Sequence, residues 1–97
     1  GYFGDAFADV LRNQGVRTSV LASAVGDVVS LEQLRGVEWA RFRLVCITHV
    51  DTSTAVCAPL REYCQLIRSL APSVLIVVDG VAATGGELMC MTDWDID

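Results

Sequence analysis

The sequence predicts an α/β protein built on a partial parallel sheet, and three observations carry that reading. Two short runs, Arg43-Leu-Val-Cys-Ile-Thr48 and Val74-Leu-Ile-Val-Val78, are apolar and rich in β-formers, as expected of strands buried on both faces. Between them, Leu60, Cys64, Ile67 and Ala71 recur at helical spacing. A strand–helix–strand order implies parallel strands joined by a right-handed crossover. Finally, 53% of the 97 residues are hydrophobic and only 20% charged, which excludes a disordered or low-complexity chain.

The elements follow in order. Phe3, Phe7, Val10 and Leu11 fall on one helical face, and Gly15 is placed to stop that helix. Val16 to Ala22 reads as a strand ended by the Gly26-Asp27 turn. Ser30 and Gln33 have the spacing of a capping box for a short helix over Leu31 to Gly36. After the 43–48 strand, Pro59 sits near a helix start, where its missing N–H costs nothing. That helix runs to Pro72, and Asp79-Gly80 stops the last apolar strand.

Charge and composition narrow the function. The net charge is −5, and the seven basic residues are all arginine and scattered, so a nucleic-acid surface is not expected. No apolar run approaches the ~18 residues of a membrane span, and a signal peptide is not expected. Cys46, Cys57, Cys64 and Cys90 form no C-x-x-C pair, and His49 is the only histidine, so no zinc-ligand spacing exists. The cysteines read as buried, reduced, structural thiols of a reducing compartment: the cytoplasm or, in a eukaryote, the peroxisome or mitochondrion. A mean hydropathy of +0.46 is high for so short a soluble chain, since small domains have the most surface to cover. The chain therefore reads as an interior piece of a larger domain.

Parallel strands place two polar segments, Thr48-His-Val-Asp-Thr-Ser-Thr54 and Asp79-Gly80, at the same carboxyl edge, where open α/β sheets bind ligands. Several chemistries can use a strand-end aspartate. A Walker nucleotide site needs G-x-x-x-x-G-K-[ST], which a chain without lysine cannot supply. A phosphoacceptor receiver also usually wants a nearby lysine. A dinucleotide site wants G-x-G-x-x-G after its first strand, which Gly85-Gly86 does not provide. Asp79 can also simply cap the following turn. Phe3 can staple its helix to the core, Val81 can be ordinary packing, and His49 reads as a loop brace. Met89, Met91 and Trp94 read as packing.

Four segments in register are more specific than any one of them. Gly1-Tyr-Phe-Gly4, Thr48-His-Val-Asp-Thr-Ser-Thr54, Val78-Asp-Gly-Val-Ala-Ala-Thr-Gly-Gly86 and Asp93-Trp-Asp-Ile-Asp97 together resemble the class V aminotransferases, the group of serine–pyruvate and alanine–glyoxylate transaminases. The resemblance spans the whole chain. It implies that residues 1–97 are the central part of the large domain of the aspartate-aminotransferase-like fold (fold type I), incomplete at both ends. The implied cofactor is pyridoxal 5'-phosphate. Asp79 matches the catalytic aspartate that pairs with the pyridinium nitrogen. Phe3 matches the aromatic residue stacking on one ring face, Val81 the apolar residue on the other, and Thr52 the hydroxyl residue near the ring oxygen.

The resemblance further implies transfer of an amino group between serine or alanine and a 2-oxo acid such as glyoxylate or pyruvate, in a homodimer when intact. A desulfurase or lyase of the same fold, or a non-catalytic scaffold or interaction protein, is the alternative. In the family, the Schiff-base lysine lies some two dozen residues past Asp97 and the phosphate-binding turn precedes Gly1, so this stretch is not expected to be active alone. The family also places a strand between 16–22 and 43–48, so these two segments should stand apart while 43–48 pairs with 74–78. Three positions depart from the family pattern: Asp51 stands where glutamate is usual, Ala55 where glycine ends the motif and Ala83 where serine is common.

Overall fold

The computed structural model describes all residues, Gly1–Asp97. The chain opens with helix α1 (Tyr2–Asn13), continues irregularly to the short helix α2 (Leu31–Arg35) and a 3-10 turn at Trp39–Arg41, and enters strand β1 (Leu44–Thr48). A small hairpin, β2 (Val50–Asp51) and β3 (Val56–Cys57), precedes helix α3 (Leu60–Leu70) and strand β4 (Leu75–Asp79).

Local chemistry sets these boundaries. At the end of α1, Gly15 takes φ +77°, while its N–H donates to Arg12 O and that of Val16 to Leu11 O. This is a Schellman motif, which satisfies two carbonyls the helix leaves open. At α2 the capping box is present: Gln33 N donates to Ser30 Oγ at 3.1 Å and Ser30 N to Gln33 Oε1 at 2.8 Å. Pro59 caps the start of α3, whose buried residues Leu60, Tyr63, Cys64 and Ile67 form the expected apolar face.

β1 and β4 pair in parallel, from Leu44 opposite Leu75 to Thr48 opposite Asp79. β4 thus runs one residue further than the sequence indicates, and Asp79 is its last residue rather than its stop. The core joins α3 to Leu34, Trp39, Val74 and Ile76. Each fully buried aliphatic side chain there contributes about 1.5–3 kcal/mol. Met89 and Trp94 pack against this core, whereas Met91 is exposed.

Several expectations need correction. Residues 16–22 form no strand. The alternation of Val16, Thr18 and Val20 suits one, but a strand exists through its ladder, and nothing in the chain pairs with this segment. A cleft of about 1080 Å³ lies between it and β1, so the two segments stand apart as the sequence predicts, and β1 pairs only with β4. The apolar strands are not buried on both faces either: Ile76 is the only fully buried residue of β1 and β4. In a two-stranded sheet each strand keeps an open edge. The cysteines are all free, but only Cys64 is buried, Cys46 and Cys90 are half-buried, and Cys57 is exposed on the hairpin.

Candidate active site at the carboxyl edge of the sheet

The parallel register brings Thr48 and Asp79 side by side at the carboxyl ends of β1 and β4. His49 extends the pairing by one residue, its N–H donating to Asp79 O at 3.0 Å. The His49 carbonyl accepts from Ala58 N at 2.7 Å, so this main chain ties β4 to the far arm of the hairpin. The imidazole is 4% exposed and its Nδ1 has no partner. His49 therefore braces the loop with its backbone, as the sequence suggests.

Asp79 is half-buried. Its Oδ1 accepts from Val81 N at 3.1 Å, and its Oδ2 accepts from no group in the chain. A carboxylate on a rigid strand end thus keeps one oxygen available for an incoming cationic N–H. The next turn is tightly folded, with Ala83 N and Thr84 N both donating to Gly80 O. A Cβ on Gly80 would meet Thr84 Oγ1 at 3.0 Å, so this close turn suits glycine. Val81 projects from it 93% exposed. Ala83, where the family commonly has serine, is buried, and its carbonyl accepts from Gly86 N and Glu87 N.

Helix α1 reaches the same edge from the other side. A Cβ on Gly4 would lie 3.6 Å from Thr48 Oγ1, so the first turn of α1 rests over the end of β1. Phe3, on that turn, is 43% exposed and meets Tyr2 edge-on at 5.2 Å between ring centroids. Thr52 is exposed at the tip of the β2–β3 hairpin, beside Asp51, which is 8% exposed. Hydrogen bonds from Ser53 hold the Asp51 carboxyl below its ordinary range, against the effect of its burial.

The structure therefore brings Phe3, Thr52, Asp79 and Val81 to one sheet edge. The large cleft is a neighbouring feature, since it reaches Thr48 and Asp51 but none of these four residues. The four fit a flat heteroaromatic ring with a protonatable nitrogen: they offer one free carboxylate oxygen, two exposed apolar side chains and a hydroxyl.

The aminotransferase class-V family model matches residues 6–97. This chain belongs to the class V aminotransferases. It is 36% identical to alanine–glyoxylate aminotransferase 1 of Saccharomyces cerevisiae, with all of this chain matching 26% of that protein. It is 28% identical to (S)-ureidoglycine–glyoxylate transaminase of Bacillus subtilis, across all of this chain and 23% of that protein. The crystal structure of an alanine–glyoxylate aminotransferase from Nostoc sp. superposes with a TM-score of 0.87 at 32% identity, over all of this chain and 26% of that one. The chain thus spans about a quarter of the length of these relatives, and its fold is part of the fold type I α/β architecture of the class V enzymes.

One residue with a clear structural part, Asp51, enters the sequence reading only as a departure from the family pattern. The available signal was the start of α1, where Gly1 supplies no capping side chain and another residue must serve the free N–H groups.

Proposed function

We propose that residues 1–97 form the central part of the pyridoxal-phosphate-binding domain of a longer, homodimeric aminotransferase. That enzyme moves an amino group between alanine or serine and a 2-oxo acid, glyoxylate or pyruvate. The carrying observation is the strand-end carboxylate of Asp79, with Oδ1 fixed by Val81 N and Oδ2 free. When bound, the cofactor supplies a ring that accepts electrons from the substrate.

Asp79 would accept a hydrogen bond from the ring N–H and hold the proton there, since an adjacent opposite charge typically raises such a pKa by about 1–3 units. Phe3 and Val81 would supply apolar contacts to the ring. Thr52 would offer its hydroxyl to the ring oxygen. The chain has no lysine, so covalent attachment belongs to another part of the intact enzyme. The yeast and Bacillus relatives are both glyoxylate transaminases, which supports glyoxylate as the amino acceptor. Four unpaired cysteines support a reducing compartment: cytoplasm or, in a eukaryote, peroxisome or mitochondrion.

The full-length protein, supplied with pyridoxal phosphate and glyoxylate, is expected to form glycine from alanine or serine. No transamination with any of these pairs would refute the activity and favour a scaffold.

A further inference from the structure

The first turn of α1 is held by the hairpin. Asp51 Oδ1 accepts from Ser53 N at 2.9 Å and from Ser53 Oγ. Ser53 Oγ in turn accepts from Tyr2 N at 3.2 Å. One N–H group that an α-helix leaves unsatisfied at its start is thus bonded by a side chain 51 residues away in sequence, itself held by Asp51, as no capping residue at Gly1 can do. The approach is tight: a Cβ on Gly1 would lie 2.2 Å from Asp51 Oδ2. The carboxylate occupies the space that any other residue at position 1 would fill.

Asp51 directly precedes Thr52, and the Ser53 hydroxyl that it holds bonds the N–H of Tyr2, the neighbour of Phe3. We propose that Asp51, supported by Ser53, is a positioning residue that sets Phe3 against Thr52 across the cofactor ring. It touches neither ring nor substrate. Charge-assisted hydrogen bonds are the strong ones, and at 8% exposure the Asp51 carboxylate is shielded from competing water. One short side chain thereby fixes the spacing between a ring-face residue and a ring-edge residue carried on separate elements.

The functional half of this inference rests on the proposed cofactor, and a cofactor-free readout separates the two. In the full-length apoprotein, amide hydrogen exchange at Tyr2 is expected to speed up by about tenfold or more in Asp51→Asn, the scale of one lost charge-assisted hydrogen bond. Exchange in α3 should not change. In the loaded protein, Asp51→Asn should raise the Kd for pyridoxal phosphate about tenfold in wild type, but little further in a Phe3→Leu background, because both changes remove the same stacking.

Should Asp51→Asn fail to fold, Ser53→Ala carries the same cycle through the Tyr2 N–H. Unchanged exchange at Tyr2 would overturn the clamp. Fully multiplicative effects on Kd would overturn its action through Phe3. Wild-type protein that binds no pyridoxal phosphate would refute the cofactor assignment and the functional half with it, leaving exchange to decide the clamp.

Discussion

Ala55 closes the hairpin turn with φ +56°, a left-handed backbone conformation that costs a residue with a Cβ roughly 1–2 kcal/mol. Glycine adopts it freely, but a glycine also loses about 0.4–1 kcal/mol more on folding because its unfolded chain is freer. Ala55 is exposed, so removing its methyl group forfeits no packing. The difference predicts that Ala55→Gly stabilises the protein by about 0.5–1 kcal/mol. Urea unfolding of the full-length protein, followed by circular dichroism, measures this as a raised midpoint at unchanged slope. Ala82→Gly is the control: Ala82 is exposed in the turn after β4 and has no positive φ, so it should lose about 0.5–1 kcal/mol instead. Equal destabilisation by both changes would refute the argument from left-handed strain.

Two further outcomes follow from the site and the thiols. The Asp51 carboxyl is held low by Ser53, and that of Asp97 by the Ile76 N–H and by Arg68. Folded-state pKa values below the unfolded ones give stability that is complete above the unfolded value of about 3.9 and lost as pH falls through the lower folded values. Stability should therefore drop below about pH 4, and Asp51→Asn should flatten that drop in an acid unfolding titration. Among the thiols, exposed Cys57 should react first with a maleimide and buried Cys64 last. Burial raises Cys64, while partial desolvation and the nearby Glu87 charge raise Cys57, so labelling of Cys57 should still accelerate above pH 8.5. Mass spectrometry of the timed digest reads the order.

The elements that were legible in the sequence are those with a local cause. The Ser30–Gln33 capping box, the Gly15 stop, the α3 face and the two apolar strands each depend on residues within a turn or a short run. Val16–Ala22 failed because a strand needs a ladder partner, which no local pattern supplies. The β2–β3 hairpin escaped notice because its arms are two residues long and its left-handed turn position carries alanine rather than glycine. The same contrast holds at the site. Asp79 is visible as a carboxylate ending an apolar run, whereas the role of Asp51 depends on Gly1 and Tyr2 being folded onto it and Ser53 from the other end of the chain. Cys57 looked buried for want of charge beside it, yet it lies on the small hairpin.

The central claim, that Asp79 faces the ring nitrogen of pyridoxal phosphate, is tested most directly by the visible absorption of the full-length protein loaded with the cofactor. A long-wavelength band of bound cofactor is expected, and in Asp79→Ala it is lost or its ring-nitrogen titration falls by about 1–3 pH units. An Asp79→Ala protein with the same band and the same titration as wild type would contradict it.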